Sequence, residues 1–542
     1  MLPIFNNQYL RTCILAAFLL LPWLSPYTAG PTPNVWPWLL SAFCAVFLWL
    51  FRRRLDPELV AIGWVLAAVV SALIGLVQYF GLAPALSPWI NQPQAGEAYA
   101  NLRQRNQFAT LTSIGLAALI GWLALREQPD QRQQQPTQGW LMPWWAYGFA
   151  WLLALGNAAS SSRTGLLQWG LMALLCAWWF WPDRRRLLVF SVQALLAYGV
   201  AVLALPWLLT LATGLQSGGL FGRLVDSTGC SSRRILWSNV LTLIIQKPWG
   251  GWGWGELDYA HFMTLYDGPR FCEILDNAHN LPLQLAVELG IPAAVVICGV
   301  LGWLTWRARP WRETNPLRQM AWAVLAVIGL HSLLEYPLWY GPFQIAAGLA
   351  VWLLYAPRQA IPRSSPGSPS LFKQNSRFAQ YLQALTAIIM IMMLAGVAVS
   401  YYRVSQIYLP PDQRSPAYRD GTLAKVQDTW LFREQARFAY LSITPLTPGN
   451  AAALHAMAIA LLHYSPEPRV IEKLIDSAVM LGRNDEVLYY LMRYRAAFPK
   501  EHARWVQKNA APLVPGMQGR PQALLNPQQV LLPIHPRERR SV

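Results

Sequence analysis

Apolar residues in this chain seldom alternate with polar ones. They run together in stretches of about twenty, each long enough to cross a bilayer, with short polar connections between them. Eleven such stretches are predicted, at approximately 12–28, 34–51, 59–80, 107–125, 140–159, 165–181, 187–213, 281–306, 317–339, 342–356 and 381–402. Backbone in hydrocarbon must satisfy its own hydrogen bonds, so each stretch reads as a helix. Basic residues gather in every second connection: Arg52 to Arg54, Arg126 and Arg132, Arg184 to Arg186, Arg307 to Arg312, and Arg358 to Arg377. That bias marks cytoplasmic connections and puts the N-terminus inside. An odd number of crossings then puts everything after 402 outside.

The expected fold is therefore all-α: a polytopic helical membrane domain over 1–402 and an outward helical domain over 403–542. The outward connection from about Gly214 to Asn280 is the longest in the membrane part. Within it, the stretch from Arg233 to Ile245 is amphipathic and too short to cross, which predicts a helix lying in the interface. From Ala451 to His502 apolar residues recur at three- and four-residue spacing, as in paired amphipathic helices. The ending Ala496-Ala497-Phe498-Pro499 is similar to that of a tetratricopeptide helix, so this domain is read as TPR-like. Gln131 to Gln138 and the Pro- and Ser-rich 362–370 read as polar inward connections without chemistry.

Composition sharpens this picture. Of 542 residues 54% are hydrophobic and only 13% charged, against roughly a quarter charged in soluble proteins. The net charge of +17 sits mostly on inward connections, which argues for contact with membrane lipids and against a nucleic-acid partner. Cys13, Cys44, Cys176 and Cys298 lie inside apolar stretches. Cys230 and Cys272 share the outward loop, where an oxidising compartment permits a disulfide; two free thiols are the alternative.

A few outward arginines run against the inward bias. Arg163 lies in Ser160-Ser161-Ser162-Arg163-Thr164-Gly165, and Arg233 and Arg234 open Ser231-Ser232-Arg233-Arg234-Ile235-Leu236-Trp237. Any one of them could serve a lipid phosphate. Three beside one loop suit a diphosphate, because guanidinium grips phosphate through two hydrogen bonds and keeps its charge. Arg103, at the outer start of the fourth stretch, either joins them or anchors its helix end.

His279 falls in Asp276-Asn277-Ala278-His279-Asn280, immediately before an apolar stretch read as continuous. Histidine is ordinarily neutral enough at physiological pH to accept a proton. Asp276 or Glu273 could orient its ring, and Asn280 and Tyr336 are candidate supports. His261 is the weaker histidine. Glu335, in Glu335-Tyr336-Pro337-Leu338 near the outer end of the ninth stretch, is read either as a partner for an arginine or as the group that orients His279. No spacing in the loop matches a metal-ligand pattern, so no metal and no cofactor is expected.

In order along the chain, Ser-Arg-Thr-Gly (162–165), Arg-Arg-x-x-Trp (233–237), Pro-x-Gly-Gly-x-Gly (248–253), Ala-His-Asn (278–280) and Glu-Tyr-Pro-Leu (335–338) resemble the O-antigen ligase/polymerase superfamily. Asn101-Leu102-Arg103-Gln104-x-Asn106 and the outward tail are most similar to its bacterial O-linked protein oligosaccharyltransferases, the pilin-glycosylating kind. That resemblance implies transfer of a preassembled glycan from an undecaprenyl-diphosphate carrier to a hydroxyl of an acceptor protein such as a pilin. The reaction would take place at the periplasmic face of the inner membrane. It also implies that His279 activates the acceptor and that Arg163, Arg233 and Arg234 hold the diphosphate. An O-antigen ligase acting on lipid A-core and a lipid or polysaccharide transporter are the alternatives.

Overall fold

The computed structural model describes residues 8–127, 142–181, 184–216, 218–220, 222, 229–359 and 372–510. The connection at Gln131 to Gln138, the 362–370 linker and the tail beyond 510 lie outside the described residues. Those described form helices joined by turns and irregular loops.

Helices occupy all eleven of the expected stretches. In chain order they begin with α1 (Gln8–Leu24), α2 (Val35–Leu50), α3 (Pro57–Tyr79), α4 (Arg105–Arg126), α5 (Trp144–Ala159), α6 (Arg163–Phe180) and α7 (Arg185–Thr213). After the outward loop come α10 (Leu281–Leu289), α11 (Ile291–Ala308), α12 (Pro316–Ser332), α13 (Gly341–Gln359) and α14 (Phe372–Ser405). Among the described residues five helical stretches are long and apolar enough to cross a membrane, those at Pro57–Tyr79, Arg105–Arg126, Arg185–Thr213, Ile291–Arg312 and Phe378–Tyr408. This is a helical membrane protein.

Burial separates the centre from the rim. The apolar window of α4 is 89% buried, whereas those of α11 and the Phe378–Tyr408 stretch are only 6% buried. α4 is therefore the axis of the bundle, and one hydrophobic core runs from α1 through α7 and on to α12 and α13. The exposed Val295, Leu301, Trp303 and Met393 suit a lipid-facing rim, since lipid tails are as apolar as these side chains.

Two helix boundaries differ from the expectation. The stretch read as continuous over 281–306 breaks at Gly290, which has φ +88°. A Cβ there would stand 2.2 Å from the Trp249 carbonyl oxygen, and one on Gly251 would stand 2.3 Å from the Glu288 carbonyl oxygen. Two bare glycines let the loop backbone press against the break. Three main-chain bonds pin it there: Trp252 N–H to Val287 O (2.8 Å), Gly253 N–H to Glu288 O (3.0 Å) and Ile291 N–H to Pro248 O (2.8 Å). The second difference is α12, which ends at Ser332 rather than near 339. Pro337 cannot continue an α-helix and instead opens a short 3-10 turn, Pro337–Trp339. Glu335 consequently lies in a turn beyond the helix.

The long loop between α7 and α10 holds α8 (Arg233–Gln246) and α9 (Leu257–Met263). Cys230 and Cys272 are joined, with Cα atoms 5.6 Å apart, so the Arg233 end of the loop is tied to the His279 end. After α14, the principal helices are α15 (Thr422–Val426), α16 (Arg433–Ile443), α17 (Ala451–Leu462), α18 (Pro468–Met480), α19 (Asn484–Ala497) and α20 (Pro499–Ala510). α16 to α20 share a core with Phe262 of α9, which is 2% exposed. His463 Nδ1 is 2.7 Å from Glu256 Oε2, its ring stacks on Tyr259 at 3.8 Å, and Arg493 Nε donates to Met263 O at 2.9 Å. The C-terminal helices thus grip the loop through α9.

Candidate active site

Glu335 is the hub. Its Oε2 is 2.5 Å from Nδ1 of His279 and accepts from Gln104 Nε2 at 3.3 Å. Its Oε1 accepts from Asn106 Nδ2 at 3.1 Å and forms an ion pair with Arg233. With a side chain only 6% exposed, this carboxylate needs such partners, because a buried charge left unpaired costs several kcal/mol. Asn106 Oδ1 accepts in turn from Ser162 Oγ at 2.6 Å, which brings in the turn that carries Arg163.

Four helix starts meet here. Gln104 precedes α4, Ser162 caps α6, Arg233 is the first residue of α8, and Asn280 caps α10. Helix N-termini present unpaired N–H groups and partial positive charge. The site is electropositive by construction, even with Glu335 at its centre, and such termini are ready anion sites.

The sequence explains each local shape. Ser162 Oγ accepts from Gly165 N–H at 3.1 Å, an N-cap. Residue 165 must be glycine because a Cβ would stand 2.3 Å from Asn157 Oδ1. His279 adopts φ +50°, a left-handed conformation uncommon for a non-glycine residue and frequent at functional sites. Its turn is fastened on every side. His279 N–H donates to Asn277 Oδ1 (2.8 Å), Ala278 N–H to Gln284 Oε1 (2.6 Å), and Trp237 Nε1 to Ala278 O (3.1 Å). Asn280 accepts from Leu283 N–H at 3.1 Å and donates to Leu333 O at 3.0 Å, joining the His279 turn to the Glu335 turn. The Tyr336 ring meets that of His279 edge-on, with centroids 5.0 Å apart.

Nδ1 of His279 faces the Glu335 carboxylate as its hydrogen-bond donor, and Nε2 is the ring nitrogen that Glu335 does not engage. Glu335 therefore holds an imidazole on one oxygen and a guanidinium on the other, an arrangement chemically able to remove a proton beside an anionic group.

The remaining candidates divide. Arg163 and Arg234 are exposed, available to a ligand. Arg103 donates to Thr28 Oγ1, and neighbouring Arg105 pairs with Glu97, so that pair fastens the N-terminal end of α4. Asp276 and Glu273 are exposed; the carboxylate on the His279 ring is Glu335, which supplies the orienting role considered for them. His261 is buried between Tyr266 Oη (2.8 Å) and Phe271 O (3.1 Å), and burial pushes its pKa down to about 3; it is structural. Among the described residues, no three His, Cys, Asp or Glu side chains are grouped to hold a metal ion.

Asn106, Gln104, Ser162, Gln284 and Trp237 carry the geometry without having been singled out as site residues. Gln284 did leave a signal, since an amide 2% exposed inside an apolar stretch must find partners.

Comparison with known families follows this map. The protein glycosylation ligase model matches 98–124, which contains Gln104 and Asn106. The O-antigen ligase model matches 148–298, which contains Arg163, Arg233 and His279. The C-terminal model of virulence factor membrane-bound polymerases matches 319–511, which contains Glu335 and the C-terminal helices. Two curated proteins of Acinetobacter baylyi are also similar. One is a general O-oligosaccharyltransferase, 25% identical over 298 residues, 53% of this chain and 49% of the relative. The other is a ComP-specific O-oligosaccharyltransferase, 28% identical over 315 residues, 56% of this chain and 53% of the relative.

The chain is similar to O-oligosaccharyltransferases over about half of its length.

It spans about half the length of the two curated relatives. As in the resemblance read from the motifs, the similarity to O-oligosaccharyltransferases goes with an O-antigen ligase region. Residues of two matched regions meet on one carboxylate, that of Glu335, which the third region supplies.

Proposed function

We propose that this protein is a glycosyltransferase that moves a preassembled oligosaccharide from an undecaprenyl-diphosphate carrier to a Ser or Thr hydroxyl of an acceptor protein, a pilin among them. In this reading eleven helices cross the inner membrane. The Gly214 to Asn280 loop and the C-terminal domain, 403–542, face the periplasm.

The observation that carries the proposal is the single carboxylate shared by His279 and Arg233. His279 Nε2 takes the proton of the acceptor hydroxyl, whose oxygen forms a bond to the anomeric carbon. The bond from that carbon to the diphosphate oxygen breaks, and its electron pair leaves with the carrier. Arg163, Arg233 and Arg234, together with the helix starts around Glu335, neutralise the departing charge. A positioned base contributes about 10²–10⁴-fold, and the diphosphate is a good leaving group once neutralised. The TPR-like C-terminal helices, gripping the loop through α9, supply a surface for a folded acceptor.

The test is reconstitution of the purified protein with an undecaprenyl-diphosphate-linked glycan and a candidate pilin, with mass spectrometry of the pilin. A mass increment equal to the glycan is expected. A second reading, an O-antigen ligase, is favoured by the model over 148–298. Lipid A-core as the acceptor in the same assay separates the two: glycan on lipid A-core with none on protein would replace the first reading by the second.

A further inference from the structure

Trp254 is 65% exposed, although it sits in the tightest part of the outward loop. Its carriage is rigid. Gly255 N–H donates to Glu288 Oε1 at 2.9 Å, and Glu288 is itself 3% exposed. The three main-chain bonds at the α10–α11 break hold the preceding residues. Its ring lies nearly parallel to that of Trp339, at 8° with centroids 6.2 Å apart. Trp339 closes the short turn that begins two residues after Glu335. Two indoles, one from the loop and one from the turn after Glu335, thus stack in parallel, with Trp254 the exposed member of the pair.

Exposed tryptophans are common in this chain, Trp144 and Trp249 among them; what marks Trp254 is its parallel ring partner and its pinned backbone. Indole faces are electron-rich, and the flat face of a pyranose ring presents polarised C–H groups that complement them. The placement also measures a distance. α10 has His279 and Asn280 at its start and the Trp254 loop pinned at its end. Its nine residues rise about 14 Å. The backbone that carries Trp254 is therefore pinned one α10 length along the chain from His279.

We propose that Trp254, backed by Trp339, is the platform on which sugars of the donor glycan beyond the diphosphate-linked one stack, so that it sets glycan-length preference. This deepens the proposed function and rests on the donor being a lipid-linked glycan.

The test uses the full-length protein and two synthetic donors, undecaprenyl diphosphate bearing either one sugar or three. Trp254→Ala should lower kcat/KM for the trisaccharide donor by about five- to tenfold and leave the monosaccharide donor unchanged. Trp254→Phe, which keeps a ring, should retain most of the preference, and Trp254→Leu, which keeps only apolar bulk, should lose it. An equal loss with both donors, or a Leu variant matching wild type on the trisaccharide, overturns the platform; the latter marks Trp254 as a lipid anchor. Transfer of neither donor by the wild-type protein would sink the glycosyltransferase reading instead.

Discussion

Glu335 stands 2.5 Å from Nδ1 of His279 and faces Arg233 across its other oxygen. One carboxylate orients the imidazole and fixes the guanidinium beside it, so the two cannot drift apart independently.

Replacing Glu335 with Gln keeps most of the hydrogen-bonding shape and removes the charge. Turnover should fall about 10²-fold or more, with membrane insertion intact. Glycan transfer rate against protein amount in the membrane fraction checks this, and a rate within twofold of wild type would make the carboxylate dispensable.

The exposed arginines separate donor binding from base orientation. Arg163→Ala should raise the apparent KM for the lipid-linked donor about tenfold, the loss of one charge-assisted phosphate contact, whereas Arg163→Lys should recover part of it. Arg233→Ala should lower kcat as well, because it also leaves Glu335 short of a partner. Donor titrations at saturating acceptor read both, and an unchanged donor KM in Arg163→Ala would remove that residue from the diphosphate site.

Much of this was legible in the sequence, for reasons that also explain what was not. Hydropathy reads helices well because hydrocarbon admits little else, and counting basic connections grouped Arg163, Arg233 and His279 on one expected side. The break at Gly290 was masked in hydropathy because apolar residues lie on both sides of it, although Pro292 just beyond was a local signal. The backbone of Trp249 to Gly251 presses on it from the loop. Glu335 was legible as a charge in an apolar stretch, but its simultaneous claim on Arg233 and His279 was not. That depends on α4, α8 and α10 starting at one point. Asn106 and Ser162 stood inside noticed motifs, yet their tie to Glu335 spans more than 170 residues of chain.

The disulfide between Cys230 and Cys272 closes a separation of 42 residues, for which chain entropy alone amounts to ~4 kcal/mol. The Cys230→Ser, Cys272→Ser double variant should show earlier protease cleavage within 229–280 and reduced transfer, as should wild type under dithiothreitol. Unchanged cleavage and activity would mean the membrane helices alone order the loop.

Burial pushes the carboxyl of Asp258 up to about 7, helped by the charges of Glu256 and Asp276. A raised carboxyl favours the folded state while protonated. That contribution is complete below the unfolded value near 3.8 and is lost as pH rises through about 7. Asp258→Asn should therefore match wild type at pH 4 and exceed it at pH 8 by on the order of 1–2 kcal/mol, allowing for its partial exposure. Thermal unfolding in detergent at the two pH values checks the sign; equal midpoints at pH 8 would show that Asp258 stays ionised without penalty.

The most direct measurement is the mass of an acceptor pilin after incubation with donor and the His279→Ala protein, set against the amount of variant in the membrane. The expected result is an unmodified pilin beside normal accumulation of the variant. A pilin glycosylated at the wild-type rate would contradict the assignment of His279 as the base.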